Sequence, residues 1–251
     1  MKDEALNDLL YRMADDLLVL GHRNAEWTGI GPLLEEDIAF SSMAQDKIGQ
    51  SLALYTLLHE AGEPDPDTLG FMRDASDFRN CIFVELPNGE YDFSLIRHFL
   101  FDTALAVRID SLTRCSYEPL ANLARKIQAE LKYHALHANT FVRKLGTATG
   151  ESINRLQRSI DEALPFALGI FESTPWEKEI VERSLCESET ILESRWRARI
   201  DRIVATTALT LPSRDVLTPV YGGRAGQHSE HLQPLIDEMT EVYRSDPETE
   251  W

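Results

Sequence analysis

The stretch AELKYHALHANTF, residues 129–141, decides the fold. Glu130 and His134 stand one helical turn apart on it, and His137 follows near the next turn. At 3.6 residues per turn, this spacing gathers a carboxylate and imidazoles along one side of a helix. Leu120, Leu123, Ile127, Leu131, Ala138, Phe141 and Leu145 recur around them at three- and four-residue steps. The pattern predicts a helix over about 118–145 with His134 on its inward stripe.

Working outward, a corner at SYEP separates this helix from another over about 92–114, apolar at Phe93, Ile96, Phe99, Leu100, Thr103 and Val107. Upstream, Leu6, Leu9, Met13, Leu17 and Leu20 mark a first helix, which GHRNAEWTGIGP interrupts with glycines and a proline. A second helix runs over about 34–61 and stops at AGEPDPDT; an irregular stretch over about 63–91 follows, with a Pro-Asn-Gly turn in VELPNGEYD. Short link, long crossover, short link is the connectivity of an all-α, ferritin-like four-helix bundle with one long crossover. Its core spans about 4–145. Accessory helices follow over about 150–245: one interrupted at Pro165, one across SETILESRWRARIDRIVATTAL, and a last one over about 228–243 after the glycine-rich VYGGRAGQ. No segment reads as a strand, and a chain of 251 residues is expected to form one domain over 1–251.

The chain carries a net charge of −17, and no cluster of Lys and Arg overrides it, which argues against nucleic acid and anionic membranes as partners. Its three cysteines, Cys81, Cys115 and Cys186, are far apart and lack metal-site spacing, as expected in a reducing cytoplasm. The acidic start MKDEALNDLL does not resemble a secretory leader, and no apolar run is long enough to span a bilayer.

Ferritin-like di-iron proteins place a Glu on each of two helices and Glu-x-x-His on the other two. If the first corner is centred near Gly31, Asp16 and Asp46 lie at equal depth. If the second is centred near Ser116, so do Asp102 and Glu130. Four carboxylates, one per helix, would then form a pocket. Gly49 and Tyr133 occupy the positions where the two histidines belong, however, and His134 is offset by about 100°. The expectation is a vestigial carboxylate pocket of Asp16, Asp46, Asp102 and Glu130 that holds no metal, its charge relieved by protonation, hydrogen bonds or a cation such as Lys47. Two readings compete: Glu130 and His134 as an ordinary i, i+4 pair with a satisfied histidine, and a catalytic di-iron or di-manganese centre with an atypical ligand set that includes His134. GGRAGQHSEH (222–231) reads as a capped helix start ahead of an anion site, and GHRNAEW (21–27) as packing or a contact between subunits.

GHRNAEWTG, DIAFSSMAQDKIGQ, VELPNGEYDF, ELKYH and GGRAGQHSEHL together resemble the C subunits of ring-1,2-phenylacetyl-CoA epoxidases, over about residue 10 to Trp251. The resemblance implies a structural subunit that is not catalytic by itself and carries no cofactor, within a monooxygenase complex of aerobic phenylacetate catabolism. It further implies a paralogous A subunit that holds the di-iron centre and binds the thioester, a small bridging B subunit, and a flavin and iron-sulfur reductase.

Overall fold

The computed structural model describes residues 3–246; Trp251, the far end of the resemblance, lies outside them. Among the described residues the fold is all-α. Its helices are α1 (Glu4–Ala25), α2 (Leu34–Glu60), α3 (Pro66–Phe71), α4 (Tyr91–Leu112), α5 (Glu118–Leu145), α6 (Gly150–Leu168), α7 (Glu177–Glu182), α8 (Glu189–Val204) and α9 (Leu232–Ser245). Two helical hairpins, α1/α2 and α4/α5, joined by one long connection, match the connectivity of a ferritin-like bundle. Contacts gather into two compact units, one reaching to Pro87 and resuming at Gly222, the other spanning Asn88–Tyr221.

In the first unit, the Asp3 side chain caps α1 by accepting the Leu6 N–H, and Leu6, Leu9, Leu10, Met13, Leu17 and Leu20 are buried. α1 packs along α2. Gly21 makes the close approach possible: a Cβ there would sit 2.8 Å from Ile48 Cγ1 and 3.4 Å from the Ala44 carbonyl. Nearer the middle, the Ser51 hydroxyl donates to the Ala14 carbonyl at 2.8 Å. This register corrects the equal depth expected of Asp16 and Asp46, because Asp16 lies level with about Gly49 and Gln50, one turn along. The cause is local. Hydrogen-bonded turns continue past α1 through Trp27 and Ile30, so the corner is centred beyond Gly31.

In the second unit, α4 is the central helix and packs against α5, α6 and α8. Phe93, Leu95, Ile96, Phe99, Leu100, Phe101, Val107 and Ile109 are all buried, so α4 is apolar around most of its circumference. Trp196 of α8 is buried against it and donates its indole N–H to the Leu100 carbonyl at 2.9 Å. Arg108 forms a buried two-pronged pair with Glu189 at 2.8 and 2.7 Å.

α6 is not broken at Pro165, contrary to expectation; it runs on to Leu168. The proline costs one backbone hydrogen bond close to the helix end, and the buried Leu164, Ala167 and Leu168 hold the last turn by packing. Two short helices, α3 and α7, fall where the sequence shows no sustained period.

Candidate functional site

The residues singled out from the sequence divide between the two units. In the first, α1 buries two adjacent carboxylates, and each receives an arginine. Asp15 accepts from Arg73 at 2.6 and 3.1 Å, from the Tyr55 hydroxyl at 2.5 Å and from the Arg79 backbone N–H at 2.6 Å. Asp16, 6 % exposed, accepts from Arg224 through both oxygens at 2.9 and 2.8 Å, and from the Cys81 N–H at 2.7 Å. Arg224 also donates to the carbonyls of Arg12 and Arg79. Burial, and after it the neighbouring Asp16 charge, pushes the Cys81 thiol well above its ordinary range.

GGRAGQHSEH explains how the arginine arrives. Gly222 and Gly226 have φ of +131° and +77°, conformations that an L side chain rarely adopts. A Cβ on Gly223 would stand 2.1 Å from the Asn80 carbonyl, and one on Gly226 would stand 2.4 Å from the Ser76 carbonyl. The backbone therefore lies directly on the 75–85 loop and drops Arg224 into α1. Further along, His228 Nδ1 meets Glu85 at 2.6 Å while its Nε2 meets the Phe78 carbonyl at 3.1 Å; the Ser229 hydroxyl and N–H both donate to Glu85. The capped helix start expected here is absent, since α9 begins later and His231 at its N-cap makes no side-chain cap. The motif is a strap that grips a loop.

GHRNAEW behaves as packing. Arg23 donates to the Glu85 carbonyl at 3.1 and 2.7 Å and pairs with Glu26 at 2.7 Å.

On α2, Asp46 is half-buried and Gly49 is exposed, with nothing within 4 Å of a Cβ built there. Lys47 is fully buried. In the second unit, Asp102 of α4 is 1 % exposed; its Oδ2 lies 2.6 Å from His98 Nδ1 on the same helix and 3.7 Å from His134 Nδ1 on α5. The His98 ring lies 6.2 Å from that of His134 and 6.3 Å from that of His137, centroid to centroid. Asp102 is thus level with His134, one turn beyond the Glu130 expected opposite it. Gln128 donating to Asp110, and Arg125 to the Thr113 carbonyl, agree with that register. Glu130 is half-buried, and Tyr133 is 77 % exposed, on the outward face of α5.

Asp16, Asp102 and His134, named from the sequence, are buried, whereas Asp15, His98, Arg73 and Arg224 beside them were not named. The spacing His98 to Asp102 is an i, i+4 pair that could have been read beside Glu130 and His134. The arginines lie too far from their partners along the chain to carry a local signal. Among the described residues, no group of three or more His, Cys, Asp or Glu side chains has an arrangement able to hold a metal ion. No described helix is long and apolar enough to cross a membrane.

The family model described as "Phenylacetic acid catabolic protein" matches residues 1–251. The chain is also 30% identical, over 241 residues and 96% of both chains, to the C subunit of the 1,2-phenylacetyl-CoA epoxidase of Escherichia coli (strain K12). By sequence over its whole length, then, and with an all-α fold to match, the chain belongs to the phenylacetic acid catabolic protein family.

Proposed function

We propose that this chain is a structural subunit of a multicomponent phenylacetyl-CoA ring-1,2-epoxidase, supporting a separate di-iron A subunit and leaving oxygen activation to it. The observation that carries this reading is the pairing of Asp16 with Arg224. A carboxylate whose oxygens accept two guanidinium N–H bonds and a backbone N–H has most of its acceptor capacity taken, and the adjoining guanidinium cation repels a metal ion. Gly49 and the outward Tyr133 supply no imidazole. These residues do not fit a di-iron centre. The chain's contribution is instead a stable helical body in the cytoplasm for the A subunit, with a small B subunit and a flavin and iron-sulfur reductase completing the assembly.

One observation favours a catalytic reading: Asp102 lies between His98 and His134, the residue types that a metal-bearing oxygenase uses. Reconstitution separates the two. Glu130→Gln and Asp102→Asn chains are combined with wild-type partners, assembly is confirmed by size-exclusion chromatography, and epoxidation is measured. Near-normal turnover supports the structural role. Normal assembly with turnover lost in both variants refutes it.

A further inference from the structure

A cleft of about 480 Å³ in the second unit is lined by Thr103 and Ala106 of α4, Ala135, Asn139 and Arg143 of α5, and Arg199, Arg202 and Ile203 of α8. Its three charged side chains are all arginines, in a chain whose acids outnumber its bases by 42 to 25. A second cleft on α8 shows the ordinary mixture, with Glu189, Glu193 and Asp201 beside Arg197 and Arg214.

The arginines are held differently. Arg199 donates to Asp110 Oδ2 at 2.5 Å, and Asp110 in turn accepts from Gln128 at 2.8 Å. Burial raises the Asp110 carboxyl, but Arg199, Gln128 and Arg195 outweigh it and hold the group below its ordinary range, so it stays anionic and fixes Arg199 in place. Arg143 and Arg202 are exposed, and Arg202 Nε makes a long 3.4 Å contact to the Ala198 carbonyl in its own helix. Ala106 and Ala135 leave room between the arginines, and the Asn139 amide adds a neutral donor.

We infer that this cleft binds the phosphate groups of a small molecule, a diphosphate or a phosphomonoester. Guanidinium forks match phosphate oxygens in pairs, and one oriented arginine beside two exposed ones suits a multiply charged anion that arrives from solvent. Arg143 and Arg202 also sit in the last turns of α5 and α8, where a cation answers the helix dipole. That role needs neither Arg199, which stands before the last turn, nor the convergence of all three on one cleft.

The test is calorimetric titration of the full chain with inorganic pyrophosphate and with adenosine 3′,5′-bisphosphate, each at low and high salt. One saturable site per chain is expected, weakened at least tenfold in Arg143→Gln and Arg202→Gln and by added salt. It should be unchanged in Arg158→Gln, an exposed arginine of α6 outside the cleft. Tighter binding of pyrophosphate would assign a diphosphate, tighter binding of the nucleotide a phosphomonoester, and either supports the site. Absence of saturation by both probes at millimolar concentration overturns it. So does equal weakening in Arg158→Gln, or a loss of thermal stability in the cleft variants with binding unchanged, which would leave the arginines as helix-end charges. Salt-sensitive complex assembly that depends on Arg143 and Arg202, without small-anion binding, would likewise overturn it in favour of an acidic protein surface.

Discussion

Arg224 and Asp16, 208 residues apart in the chain, form a buried two-pronged ion pair at 2.9 and 2.8 Å. Removing the guanidinium would leave Asp16 charged inside the first unit with only the Cys81 N–H to answer it. Arg224→Ala is therefore expected to cost about 3–5 kcal/mol in chemical unfolding. Arg224→Lys should recover part of this, since an ammonium keeps the charge but cannot reproduce the fork. A loss under about 1 kcal/mol in Arg224→Ala would show that the pair does not hold the strap to α1.

The glycines give a graded test of the same strap. Gly223→Ala forces a Cβ to 2.1 Å from the Asn80 carbonyl, and Gly226→Ala adds strain from its positive φ to a 2.4 Å clash. Each should destabilise by about 1–3 kcal/mol. Gly49→Ala, inside α2 with open space around it, should instead stabilise by about 0.5–1 kcal/mol. Opposite signs in thermal unfolding are the readout, and a penalty at Gly49 would mean that its surroundings are tighter than described.

The helices were largely legible in the sequence, and the corners were not. α5 runs over Glu118–Leu145 as its apolar stripe predicts, because burial on one face imprints a 3.6-residue period, and α2 begins at Leu34, just after the glycines and proline of GHRNAEWTGIGP. Depth across the hairpins was one turn off; at the first corner, the extra hydrogen-bonded turns beyond α1 carry no periodic signal of their own. Of the candidate site, His134 and Asp102 were visible as buried polar residues on periodic helices. For the Asp16 charge the sequence suggests protonation, hydrogen bonds or a cation such as Lys47, and not Arg224. Arg224 reaches it through a glycine-rich loop whose meaning depends on tertiary contact. The run of glycines, read here as a capped helix start, would have pointed to it only if taken as a demand for close backbone approach.

Alkaline pH should weaken the chain through two tyrosines. Burial first, then the Asp15 charge, raises Tyr55; burial and then Glu63 raise Tyr11. A phenol raised above its unfolded value of about 10 favours the folded state below that pH, and the contribution is lost as pH climbs past it. Unfolding midpoints are expected to hold steady over about pH 7–9 and fall above about pH 10, with a shallower fall in Tyr55→Phe. An equally steep decline in the variant would place the alkaline sensitivity elsewhere.

The buried Asp102, His98 and His134 group should matter to stability more than to turnover. His134→Gln removes an imidazole 3.7 Å from Asp102 and is expected to cost about 1–3 kcal/mol, while leaving the assembled complex active. Loss of epoxidation without loss of folding or assembly would instead give the group a part in the chemistry.

The central claim is that oxygen activation does not take place on this chain. Its most direct test is metal analysis of the purified chain after anaerobic loading with Fe(II) and removal of unbound ion, followed by phenylacetyl-CoA oxidation with a competent reductase but no partner subunit. The account predicts no stoichiometric iron and no turnover. About two irons per chain, lost in Glu130→Gln or Asp102→Asn and accompanied by product, would contradict it.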